Sequence, residues 1–124
     1  KKHKASIMAS LKVNKNNVDR WGIFSIAKTL DKDNFKISDV IEKPKTKDAP
    51  SNNAVIGRYI LNKDIFNFLK NQKKGKGGEI HITDAIRKMI FKKYFFIGHR
   101  FTGKYLDCGT MNGYIKSGIE ISKL

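Results

Sequence analysis

At 124 residues the chain has the length of one domain and can bury a real core. Its 40% hydrophobic and 10% aromatic content argues against disorder, and no apolar run reaches the roughly 18–20 residues of a membrane span. The net charge of +15 comes from 22 Lys against only 4 Arg, scattered along the chain. Arg is the residue that bidentate phosphate and guanine recognition favours, so general attraction to polyanions is expected and no specific nucleic acid.

In chain order, "KKHKASIMAS" lacks the apolar stretch of a signal peptide, and the first segment alternates weakly. "WGIFSIAKTL" and "FKISDVIEK" read as strands joined by the polar "DKDN". "KPKTKDAPSNN" holds both prolines and reads as a loop. "AVIGRYIL" is almost continuously apolar and suits a strand buried on both faces. Asn62 can cap a short helix, "KDIFNFLKN", with Ile65, Phe66 and Leu69 on one face. "KKGKGG" ends it. Thr83 is placed to cap "DAIRKMIFKK", with Ile86, Met89 and Ile90 facing inward. "YFFIGHRF" and "KYLDCG" read as further strands, and a last helix runs from about Met111 to Lys123. Strands alternating with helices indicate an α/β fold. Three modest helices are too few to cover the faces of some six strand segments, so the chain reads as half of a fold with exposed strand edges.

Two places can carry chemistry. In Glu42-Lys43-Pro44 the carboxylate can accept from two sugar hydroxyls while the ammonium neutralises a phosphate on the same ligand. Pro44 should hold Lys43 extended. The competing reading is a solvated strand end. Asp107, at the end of "YLDCG", is a candidate Mg²⁺ ligand, since hard cations take carboxylate oxygen; the alternative is an Asp bonded to turn amides. "KGKGGEIHITD" is no phosphate cradle, because its glycines follow a helix rather than a strand. His3, His81 and His99 lie too far apart for a zinc site. Cys108, the single cysteine, excludes an internal disulfide, fits a reducing compartment and reads as a small buried hydrophobe. Gly113 and Gly118, inside the last helix, suggest close packing there.

"VIEKPK", "APSNNAVIGRYIL", "GKGGEIHITDAI" and "GKYLDCGTMNGYIKSGIE" together resemble, in order and spacing over residues 20–122, the C-terminal half of bacterial UTP–glucose-1-phosphate uridylyltransferases. The resemblance implies a sugar nucleotidyltransferase fold, a mixed sheet with flanking helices, whose N-terminal nucleotide-binding half lies outside this sequence. It implies formation of UDP-glucose and pyrophosphate from UTP and glucose 1-phosphate, with Mg²⁺. By the same resemblance Gly22 lies against the sugar, Glu42 binds sugar hydroxyls, and Lys43 binds the sugar-linked phosphate. Val55 and Gly57 flank the sugar, and Asp107 holds the metal. Trp21 and His81 stand where the family has Tyr and Gln, as framework changes. The resulting expectation is residues 1–124 as the sugar-phosphate-binding portion of a nucleotidyltransferase domain, cytoplasmic, in a homo-oligomer, without membrane. It depends on an N-terminal half, in the same or a separate chain, for activity. Two alternatives stay open: a non-catalytic remnant or interaction module, and a sister enzyme of thymidylyltransferase type.

Overall fold

The computed structural model describes residues 5–75 and 78–124. His3 and part of the "KGKGG" turn lie outside them. Among the described residues there are five strands: β1 (Ser6–Lys12), β2 (Gly22–Thr29), β3 (Asn34–Glu42), β4 (Asn53–Ile60) and β5 (Phe96–Arg100). The helices are α1 (Ile65–Lys70), α2 (Ile82–Phe91) and α3 (Met111–Ile121). The sheet is mixed: β1 runs parallel to β5, and every other pairing is antiparallel. In the order β1-β4-β2-β3-β5 the pairing closes on itself. The expected row of open edges is therefore largely absent among these strands. Closure is thin at one point, where β2 and β4 share the single pair Ile23–Ala54.

The two strands read from "WGIFSIAKTL" and "FKISDVIEK" form a hairpin, β2–β3. Its turn is built by Asp31, whose Oδ1 accepts from the N–H groups of Asp33 and Asn34, both at 2.9 Å. The Asn34 side-chain amide, and then the Asp33 N–H, hold the Asp31 carboxyl below its ordinary range. On the inner face Phe24, Phe35, Ile37 and Val40 are buried and join Met8 and Phe96 in the main core. Phe24 and Phe35 meet edge to face at 5.5 Å. A smaller cluster of Val18, Ile23 and Ala54 lies beneath the 3-10 helix Lys15–Arg20 and carries Trp21.

β4 departs from expectation. Asn53, Ala54 and Val55 are buried, but Gly57, Arg58 and Ile60 are exposed. The register explains it. Met8 pairs with Tyr59 and Ser10 with Val55, so three residues of β4 stand opposite Ala9 alone. Gly57 sits in that bulge at φ +69°, a conformation other residues reach only with strain. Beyond the bulge Tyr59 still packs against the core, while Arg58 and Ile60 are exposed.

The helices follow their apolar periodicity with two changes. Asn62 does bond the start of α1, its Oδ1 accepting from the Asp64 N–H at 2.9 Å. Ile65 is buried, yet Phe66 is exposed, and Phe68 packs instead against Tyr94. α2 begins before Thr83, so that hydroxyl caps nothing. Ala85, Ile86, Met89 and Ile90 bury as the spacing requires. Arg87 fastens α2 to β3 through paired bonds to Asp39, Nε at 2.8 Å and Nη2 at 3.0 Å. Those bonds raise the guanidinium further above its ordinary range.

The segment "KYLDCG" is not a strand. β1 already pairs with β4 and β5, so the chain after β5 finds no free neighbour there and crosses the surface. No helix among the described residues is long and apolar enough to cross a membrane.

Candidate functional site

A cleft of about 430 Å³ opens beside the Ile23–Ala54 bridge. Gly22 enters it from β2, Glu42 from β3, Val55 and Tyr59 from β4, and His81 and Thr83 from the start of α2. Three strands and a helix thus converge where the sheet is least continuous. Local sequence patterns do not contain that convergence.

Glu42 closes β3 directly opposite Gly22. A Cβ on Gly22 would lie 3.0 Å from Glu42 Oε2 and 3.4 Å from a Val55 methyl. A side chain here would crowd the carboxylate and shift it by a few tenths of an ångström. The buried Thr83 hydroxyl donates to the same oxygen at 3.3 Å. Glu42 is otherwise exposed, so its second oxygen has lone pairs open toward the cleft. Burial, and then the Glu42 charge, push the Tyr59 hydroxyl above its ordinary range. At neutral pH Tyr59 therefore keeps its proton and can act as a donor. Carboxylate, hydroxyl donor and small apolar wall together suit a polyhydroxylated ligand.

Lys43 corrects an expectation. It is not extended but sits at φ +45°, in the left-handed region, at a cost of about 1–2 kcal/mol for a residue with a Cβ. The reason lies in its neighbours. The Lys43 N–H donates to the Trp21 carbonyl at 2.9 Å, finishing the β2–β3 ladder, and the chain must then turn to bury Pro44. Strain of this kind tends to persist where a site needs it. The Lys43 side chain is exposed and does not line the cleft, and neither does Gly57. Gly22, Glu42 and Val55 are brought together. Lys43 adjoins them through the backbone only.

Asp107 reaches the same end of the sheet by another route. The Tyr105 ring packs edge-on against Trp21, with centroids 5.2 Å apart, and Asp107 Oδ2 lies 3.7 Å from the guanidinium of Arg20, which also lines the cleft. Asp107 Oδ1 accepts from the Gly109 N–H at 2.9 Å, which is the turn role weighed above. Among the described residues no three His, Cys, Asp or Glu side chains converge on one point. Those described residues therefore form no all-protein metal cage. A divalent cation at Asp107 would take one carboxylate oxygen there and complete its shell from the phosphate oxygens of a ligand. Cys108 is exposed, not buried, because its segment found no strand to join.

Of the two helical glycines, one matters for this loop. A Cβ on Gly113 would fall 2.2 Å from the Asp107 carbonyl oxygen, whereas Gly118 has open space around it. The Thr110 hydroxyl accepts from the Gly113 N–H at 3.1 Å and caps α3. Gly113→Ala should therefore displace the 107–110 turn and cost about 1–3 kcal/mol. Thermal melts and the Gly109 amide resonance report it; an unmoved resonance would contradict the contact.

Four cleft residues carry no signal in the sequence that marks them individually: Arg20, Tyr59, Ile80 and Ile82. Thr83 reads from sequence as a cap, and Trp21 and His81 as framework, yet all three line the cleft. Only the even spacing of Val55 and Tyr59 along one strand hinted at a shared face.

Residues 1–123 match the nucleotidyl transferase family. The chain belongs to that family. It is 40% identical over 116 residues to a UTP–glucose-1-phosphate uridylyltransferase of Pseudomonas aeruginosa, covering 94% of this chain and 41% of that protein. Among solved structures it superposes on a UDP-glucose pyrophosphorylase complexed with UDP-glucose, with a TM-score of 0.90 and 43% identity. That match covers 98% of this chain and 46% of the other. A UTP-bound enzyme of the same kind from Acinetobacter baumannii gives a TM-score of 0.82 at 30% identity, covering 97% of this chain and 40% of that one. This nucleotidyl transferase chain thus spans less than half the length of the relatives it matches. The mixed-sheet expectation holds, and so does the expectation of a partial fold.

Proposed function

We propose that this chain supplies the sugar-phosphate side of a UTP–glucose-1-phosphate uridylyltransferase, as its C-terminal portion. The observation that carries the reading is the Glu42 carboxylate, held by Thr83 against a glycine at the mouth of a cleft. Glu42 accepts from two glucose hydroxyls, Tyr59 donates to a third oxygen, and Gly22 and Val55 form the wall along the ring. Lys43, next to Glu42 in the chain with its side chain exposed, turns its ammonium onto the phosphate on C1 and balances its charge. A phosphate oxygen of the sugar attacks the α-phosphorus of UTP in line. The new P–O bond forms as the bond to the bridging oxygen breaks, and pyrophosphate leaves with that electron pair. Mg²⁺ at Asp107, when bound, neutralises phosphate charge. The uracil and triphosphate contacts come from the family length that this chain does not span. Contact with that portion, or with a second copy in a homo-oligomer, is supported by α3, where Met111, Ile115 and Ile119 form an exposed apolar stripe.

The test separates binding from turnover. Glucose 1-phosphate titrated into the chain should shift the amide resonances of Gly22, Glu42 and Thr83. The same chain with UTP, glucose 1-phosphate and Mg²⁺ should yield no UDP-glucose. Absence of the shifts overturns the sugar-phosphate reading; product formation overturns the placement of the nucleotide contacts elsewhere.

A further inference from the structure

Arg is scarce in this chain, and two of its four guanidinium groups pair with Asp in contrasting ways. Arg87 and Asp39 are closed face to face by two short bonds, with the Asp39 side chain only 20% exposed. Arg20 and Asp107 approach to 3.7 Å, beyond direct hydrogen bonding, and are 58% and 39% exposed. The first pair fastens a helix to a strand. The second lies beside the Trp21–Tyr105 contact, and an exposed ion pair of this kind exchanges partners at little cost.

Position gives the loose pair its meaning. Arg20 ends the 3-10 helix Lys15–Arg20 and lines the cleft that Glu42 enters. It also faces Asp107, the carboxylate proposed above to take a metal. A guanidinium fork matches a phosphate bidentately, as an ammonium does not. An arginine against a carboxylate also opposes the arrival of a divalent cation at that carboxylate.

We propose that Arg20 is a phosphate-binding residue that guards Asp107. In the empty cleft the guanidinium neutralises Asp107 and keeps metal affinity low. When a sugar phosphate enters, Arg20 turns onto its phosphate and leaves Asp107 to the metal, so the two ligands favour each other's binding. The inference rests on the reading of the cleft as a sugar-phosphate site, which it deepens.

The test uses Mn²⁺ as the probe, with bound metal counted from its paramagnetic resonance signal. Without any phosphate, Arg20→Gln should tighten Mn²⁺ binding roughly 3- to 5-fold, because a competing charge is gone. In the unaltered chain glucose 1-phosphate should tighten Mn²⁺ binding, and in Arg20→Gln that enhancement should vanish. Arg20→Lys keeps the charge, so its metal affinity without phosphate should stay low while its glucose 1-phosphate affinity falls. Asp107→Asn should abolish the bound signal. Unchanged Mn²⁺ affinity in Arg20→Gln overturns the guard, as does Mn²⁺ binding that survives Asp107→Asn or is absent from every variant. Failure of the sugar-phosphate reading looks different. Glu42→Ala would then leave glucose 1-phosphate binding intact, while the phosphate-free Mn²⁺ comparison still decides the role of Arg20.

Discussion

Glu42→Ala is expected to weaken glucose 1-phosphate binding roughly 10- to 150-fold, because hydrogen bonds to a charged group contribute about 1.5–3 kcal/mol net. The carboxylate has one oxygen engaged by Thr83 and the other free, so truncation removes the acceptor and leaves the Thr83 hydroxyl buried without its partner. Lys43→Ala should weaken binding at least as much, since on the proposed reading its ammonium turns onto the phosphate. Thr83→Val is the informative companion. It keeps the carboxylate but loosens its orientation, and should cost less than Glu42→Ala. The dissociation constant from an NMR titration measures all three. A surface hairpin would behave otherwise, because exposed charge changes shift stability within about 0.5 kcal/mol and alter no ligand affinity. An unchanged constant in Glu42→Ala would return "EKP" to an ordinary strand end.

Gly98→Ala is expected to be the most damaging single methyl in the core. Gly98 lies in β5 between Met8 of β1 and Phe35 of β3, and a Cβ there would come within 2.2 Å of the Phe35 ring. The ring has nowhere to go. Phe24 meets its edge at 5.5 Å, and the Arg100 guanidinium lies 4.8 Å from its centroid. Overpacking of this kind costs about 1–3 kcal/mol, which corresponds to a Tm lowered by roughly 4–12 °C in a chain of this size. Phe35→Leu on its own should also destabilise, but combined with Gly98→Ala it should recover part of the loss, since the two share one space. Circular dichroism melts of the two single variants and the double variant measure the coupling. Strictly additive losses would rule out the ring-over-glycine contact.

Much of this protein was legible along the chain. The β2–β3 hairpin follows from two apolar runs around "DKDN", and α2 follows from Ile86, Met89 and Ile90 at helical spacing. Both depend on contacts between near neighbours, where periodicity alone decides which side chains turn inward. The four family-like blocks likewise pointed to the nucleotidyl transferase family, because motif order is itself a property of sequence. Glu42 and Val55 belong to those blocks and Gly22 to the "RWGI" that precedes them, and all three line one cleft.

The tertiary structure decided what depends on distant partners. "KYLDCG" has the composition of a strand, but strand pairing needs a free edge, and β4 and β5 already occupy both sides of β1. Cys108 is exposed for the same reason. Pro44 disfavours the helical region for Lys43, yet the bond to the Trp21 carbonyl and the turn into a buried proline set its backbone left-handed. Phe66 and Phe68 are alike as letters, and only the position of Tyr94 settles which of them packs. The cleft is the clearest case. Arg20, Tyr59 and Thr83 lie at three separate places in the sequence. They meet Glu42 because pairing across long loops brings the ends of β2, β3 and β4 to the start of α2. Sequence carries the chemistry of each side chain and its local periodicity. Which of those chemistries share one space is set by long-range pairing, whose energy no single segment contains.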